Sequence, residues 1–92
     1  MRDITVTGAY DQIQGNLKNP NFVIIDVRTP SEYGEGHLQS AINIDYYATT
    51  FREDIGKLDR GNTYLVYCRT GNSSKGAVEI MNELKFKDIY HV

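Results

Sequence analysis

Tyr64-Leu65-Val66-Tyr67-Cys68-Arg69-Thr70-Gly71-Asn72-Ser73-Ser74-Lys75 passes from an apolar run, through a small-residue turn, into a helical pattern. The first four residues are aliphatic or aromatic without polar alternation, as in a strand covered on both faces of a parallel sheet. Downstream, Ala77, Val78, Met81 and Leu84 recur at helical spacing, which predicts a helix over Ser74–Leu84. Upstream, Phe22-Val23-Ile24-Ile25 is a second run of the same kind. Shorter strands are expected at Ile4–Thr7, Ala41–Ile44 and Asp88–Val92. Between them, Tyr10, Ile13 and Leu17 share one face of a helix over Ala9–Lys18. Pro30-Ser31 suits a first helical turn, and Tyr46–Lys57 is partly helical with Phe51, Ile55 and Leu58 inward. Strands alternating with helices give an α/β fold around a central, mainly parallel sheet flanked by helices.

That order places Cys68 at the carboxyl end of a strand, where ligands bind in open α/β sheets. The loop after it feeds a helix N-terminus. Such a loop aims several backbone N–H groups at one point, and the helix dipole adds partial positive charge. Gly71 allows the tight turn, and Ser73 or Ser74 is positioned to cap the helix. A thiol held this way has a depressed pKa and reacts as its thiolate. Arg69 and Lys75 bring positive charge, although Lys75 in a first helical turn opposes the dipole by about 0.3–1 kcal/mol. An anionic ligand is the natural reason for it.

Bulk composition narrows the classes. Ninety-two residues allow one compact domain over 1–92. The net charge of -2, with no basic cluster, argues against a nucleic-acid partner. The absence of a long apolar run argues against a membrane partner, and a start without a secretory-type apolar stretch points to the cytoplasm. A single cysteine excludes an internal disulfide, and one cysteine with two distant histidines gives no structural zinc spacing, so neither metal nor cofactor is expected.

Asp26-Val27-Arg28, Glu32-Tyr33, Gly36-His37-Leu38, Ala41-Ile42-Asn43-Ile44 and Cys68-Arg69-Thr70-Gly71-Asn72, in this order and spacing, resemble a rhodanese-like domain. The resemblance runs from about Phe22 to Val92. It implies a three-layer α/β fold and a sulfurtransferase of the thiosulfate type. In that reading Cys68 takes a sulfane sulfur from a small anionic donor such as thiosulfate and passes it to cyanide or a thiol. Arg69, Thr70, Gly71, Asn72, Ser73, Ser74 and Lys75 line the substrate loop, Arg69 as chief side-chain contact and Thr70 to Ser73 mainly through their backbones. The resemblance also marks Asp26, Arg28, Glu32 and His37 as a structural motif: an ion pair or turn cap for the first two, a turn lock for His37. No general base is needed, because sulfur passes between anions.

Two features depart from the family pattern. Thiosulfate-type members often carry arginine where this chain has Ser73, and members usually continue past the last strand with a glycine pair and a further helix. A domain lacking its last helix is therefore expected. Phosphatases that share the fold need an arginine six positions after the cysteine, where this chain has Ser74. The competing function is a persulfide carrier or a protein-interaction domain with little small-molecule turnover, whose acceptor is a protein. A monomer is the default. His91 is read as lying on the last strand without a partner, and the tyrosines as packing residues.

Overall fold

The structure is a computed structural model and describes residues 2–92. Five strands and four helices alternate: β1 (Arg2–Asp3), α1 (Val6–Gly15), β2 (Phe22–Asp26), α2 (Pro30–Glu35), β3 (Ile42–Asn43), α3 (Phe51–Gly56), β4 (Thr63–Tyr67), α4 (Asn72–Glu83) and β5 (Asp88–His91). The strands form one sheet in the order β1-β5-β4-β2-β3, and every pairing is parallel. This is the expected α/β architecture, with helices on both faces of the sheet.

The two apolar runs form the centre of the sheet, with Ile24 beside Leu65 and Ile25 beside Val66. Successive side chains of a strand point to opposite faces, so each run serves two cores. Ile25, Tyr64, Val66 and Ile89 pack with Phe51 and Ile55 of α3 and with Ala77, Val78 and Met81 of α4. Ile24 and Leu65 pack on the other face with Ala9 of α1 and with Ala41. Each of Ile25, Leu65 and Val66 is fully buried and contributes about 2 kcal/mol of transfer free energy.

The N-terminal elements differ from expectation. No strand forms over Ile4–Thr7. The chain pairs with β5 at Arg2–Asp3, and Thr5 then caps α1 by accepting the Gly8 amide at 3.0 Å. Capping by Thr5 outweighs the β preference of its neighbours, so α1 begins three residues before Ala9. It ends at Gly15, where the Asn16 side chain donates to the Gln12 carbonyl. Tyr10 and Leu17 consequently remain exposed, bordering an open apolar groove with Ile13, Phe22, Ile24 and Leu38.

The start of α4 also differs. The helix begins at Asn72, with Gly71 as N-cap at φ +89°, and neither Ser73 nor Ser74 caps it. Both serines lie inside the first turn, which frees the Ser74 amide for another partner. α4 closes in a Schellman arrangement: the Lys85 amide reaches the Asn82 carbonyl and the Phe86 amide the Met81 carbonyl, with Lys85 at φ +71°.

Candidate functional site around Cys68

All five strands point the same way, so their carboxyl ends share one edge. Asp3, Asp26, Asn43, Cys68 and His91 lie at or just beyond those ends. Cys68 follows β4 directly and is half-buried. Its Sγ accepts the Gly71 amide at 3.0 Å and the Ser74 amide at 3.3 Å, and lies 3.3 Å from Ser74 Oγ. The left-handed conformation of Gly71 turns the loop so that these donors converge. Burial pushes the thiol pKa up. The Ser74 hydroxyl and the amides of Ser74, Gly71 and Thr70 more than offset this and hold it below the ordinary thiol value.

The remaining loop residues divide into those the structure gathers at the sulfur and those it does not. Thr70, Gly71 and Ser74 act on it through their amides. The Asn72 amide instead reaches Thr70 Oγ1 at 3.5 Å. Ser73 turns its hydroxyl to Tyr47 Oη, 2.9 Å away. Arg69 and Lys75 are exposed. Arg69 lines a shallow depression with Arg28, Glu32, Glu35 and Gly36, to one side of the thiol.

Beside the loop, Asp26 is fully buried at the end of β2. The Arg28 guanidinium grips its carboxylate through Nε and Nη2 at 2.7–3.0 Å, and Tyr67 Oη donates to Oδ2 at 2.9 Å. Burial alone would raise the Asp26 pKa, but the Arg28 and Tyr67 hydrogen bonds lower it below the ordinary carboxylate value. Arg28 is raised in turn, chiefly by its bond to Asp26. Its Nη2 also donates to the Gly36 carbonyl at 2.6 Å, and Tyr67 Oη accepts the Leu38 amide at 3.1 Å. The network thereby ties the segment after α2 to the sheet edge. Glu32 completes a capping box with Thr29. His37 stacks on Tyr33, with ring centroids 3.7 Å apart, and its Nδ1 meets the Tyr33 carbonyl at 2.8 Å.

Sequence reasoning missed four contributors: His91, Asp3, Tyr47 and Tyr46. His91 has partners on both ring nitrogens: Ser74 Oγ at 2.7 Å from Nε2, and Asp3 Oδ1 at 2.9 Å from Nδ1. Tyr47 reaches over the loop to Ser73, and Tyr46 packs its ring on Gly76 of α4. Position at a carboxyl strand end was the available signal for His91 and Asp3. The misplaced first strand concealed it for Asp3. Among the described residues, no group of three or more His, Cys, Asp or Glu side chains is placed to hold a metal ion, and no helix is long and apolar enough to cross a membrane.

Comparison with known proteins agrees with this geometry. The family profile described as Rhodanese-like domain matches residues 9–92. The thiosulfate sulfurtransferase PspE of Escherichia coli is 37% identical over 65 residues, covering 71% of this chain and 62% of that protein. A tRNA uridine(34) hydroxylase of Photorhabdus laumondii is 30% identical over 98% of this chain, but the chain spans only 28% of that protein. Among solved structures, a rhodanese-related protein from Thermoplasma volcanium superposes with a TM-score of 0.77 at 30% identity, covering 99% of this chain and 85% of that one. A rhodanese from E. coli gives 0.65 at 34% identity, covering 77% and 84%. The chain belongs to the rhodanese-like family, which supports sulfurtransferase-type activity in general.

Proposed function

We propose that this domain is a sulfurtransferase that carries a sulfane sulfur on Cys68. The single observation behind this reading is the pair of backbone N–H donors that converge on Sγ at the N-terminus of α4, with Ser74 Oγ 3.3 Å away. Donors placed there stabilise a thiolate before reaction and an anionic persulfide after it. The Cys68 thiolate attacks the outer sulfur of thiosulfate, the S–S bond of the donor breaks, and sulfite leaves with the bonding pair. Cyanide then attacks the terminal persulfide sulfur, thiocyanate leaves, and the Cys68 thiolate is restored. Each half-reaction is a displacement between anions, so the scheme is covalent and ping-pong. Gly71 and Ser74 hold the sulfur, Thr70 supports it, and Arg69 and Lys75 attract the anionic donor. Asp26, Arg28, Glu32 and His37 hold the framework. The tRNA hydroxylase activity is named for proteins of which this chain spans about a quarter, and no step of it is assigned to Cys68.

Thiocyanate formation from thiosulfate and cyanide tests the proposal. Parallel double-reciprocal plots and loss of activity in Cys68→Ser are expected. A folded wild-type protein without turnover contradicts it.

A second reading draws on the Ser73–Tyr47 hydrogen bond. The position where thiosulfate-type members often carry arginine is here a neutral hydroxyl engaged by tyrosine. A persulfide carrier serving a protein acceptor needs no such cation. It would take sulfur from a polysulfide while producing no thiocyanate from thiosulfate.

A further inference from the structure

The last strand brings a second polar array to the thiol. Cys68 Sγ, Ser74 Oγ, His91 and Asp3 form a continuous chain with spacings of 3.3, 2.7 and 2.9 Å. Ser74 is fully buried, the His91 side chain is 13% exposed and the Asp3 side chain 73% exposed, so the chain runs from the sulfur to solvent.

With Cys68 as the thiol and His91 neutral, one assignment of hydrogens satisfies every link. An ionised carboxylate only accepts, so His91 Nδ1–H donates to Asp3, which leaves Nε2 of the neutral ring as an acceptor. The Ser74 hydroxyl donates to Nε2, and its oxygen accepts the Cys68 S–H. The alternative acceptor for the Ser74 proton, the Gly71 carbonyl, is farther away at 3.2 Å.

We propose that Ser74, His91 and Asp3 are a proton relay that ionises Cys68 internally. The proposal rests on the reading of Cys68 as the sulfur-carrying nucleophile. The Cys68 S–H bond breaks as its proton moves to Ser74 Oγ, while the original Ser74 proton moves to His91 Nε2. Ser74 ends neutral, with its new O–H directed at the thiolate. His91 becomes an imidazolium that donates to Ser74 Oγ and to the Asp3 carboxylate. One thiol and one imidazole become one thiolate and one imidazolium, so charge is conserved. His91 and Asp3 act through Ser74 and are positioning residues.

Among the described residues, few other groups face the ring. Its partner in register on β4 is Val66, which is uncharged, and α4 presents Ser74. The other charges of β1 and β5, Arg2 and Asp88, pair with each other, and Tyr90 lies beneath the Arg2 guanidinium. Among the described residues, Cys68 and Asp3 are thus the titratable partners of His91 along this chain.

Alkylation of Cys68 by iodoacetamide as a function of pH tests the relay without any sulfur transfer. Cys68 is the sole cysteine, so the rate follows its thiolate fraction. Wild type, His91→Asn and Asp3→Asn are compared, with thermal melts to establish folding. The relay predicts half-points moved to higher pH in both variants. For His91→Asn, alkylation on the acid side slows about tenfold, equivalent to about one pH unit. Asp3→Asn shifts in the same direction by less. An Asp3→Asn profile superposed on wild type overturns the proposal, and that exposed substitution decides the matter even if His91→Asn does not fold. Shifted profiles in a protein that takes up no sulfur support the relay and overturn the sulfur-transfer reading instead.

Discussion

Asp26 is the residue on which the site edge depends, because its carboxylate is fully buried and bonded by Arg28 and Tyr67 together. Asp26→Ala leaves a largely buried guanidinium and a tyrosine hydroxyl without their acceptor, so a loss of about 3 kcal/mol in denaturant unfolding is expected. Because the folded pKa is depressed, the stabilisation from the carboxylate is complete above the ordinary carboxylate pKa, about 4. It is lost as pH falls through the lower folded value. Asp26→Asn should therefore flatten the acid limb of the stability–pH curve, and an unchanged limb would contradict this assignment. At this scale the sequence exposed the proposed nucleophile and its loop, since an apolar strand, a cysteine and a glycine turn are contiguous. It concealed His91, whose partners Ser74 and Asp3 are 17 and 88 residues away along the chain. Only the pairing of β5 with β4 and β1 brings them together.

α4 carries two predictions of opposite sign. Alanine normally favours a helix interior over glycine by about 1 kcal/mol. At Gly76, however, a Cβ would overlap the Tyr46 ring, which Phe51 and Tyr47 hold in edge-to-face contacts. Overpacking of that kind costs about 1–3 kcal/mol, so Gly76→Ala should destabilise the protein. In a Tyr46→Ala background the same change should become neutral or stabilising, and a double-mutant cycle in urea measures the difference. Lys85 occupies the left-handed position that closes the helix, at φ +71°. Relief of about 1 kcal/mol of backbone strain exceeds the unfolded-state entropy that glycine adds, so Lys85→Gly should stabilise by a few tenths of a kcal/mol in the same assay. Boundaries were the least legible feature at this scale. The apolar period located α1 and α4, whereas their starts were set by Thr5 and Gly71, whose caps depend on backbone geometry rather than on hydrophobic pattern. The long central strands were legible because burial on both faces leaves a continuous apolar signature.

Across the whole molecule, parallel strand order collects the thiol, its donors and the Asp26–Arg28 pair along one edge, with a core on each face of the sheet. The architecture and family were readable because motifs at the carboxyl ends of β2 and β4 carry distinct turn chemistry. The way β5 and the Tyr46–Tyr47 segment converge on the loop and α4 was not, because their contacts join residues far apart along the chain. The central claim is that this edge exists to load one sulfur on Cys68. The most direct measurement is the intact mass of reduced protein after exposure to thiosulfate, with Cys68→Ser alongside. The account predicts a gain of one sulfur atom on the wild type, absent from the variant and removed by cyanide. An unchanged mass in folded wild-type protein, or an equal gain in Cys68→Ser, would contradict it.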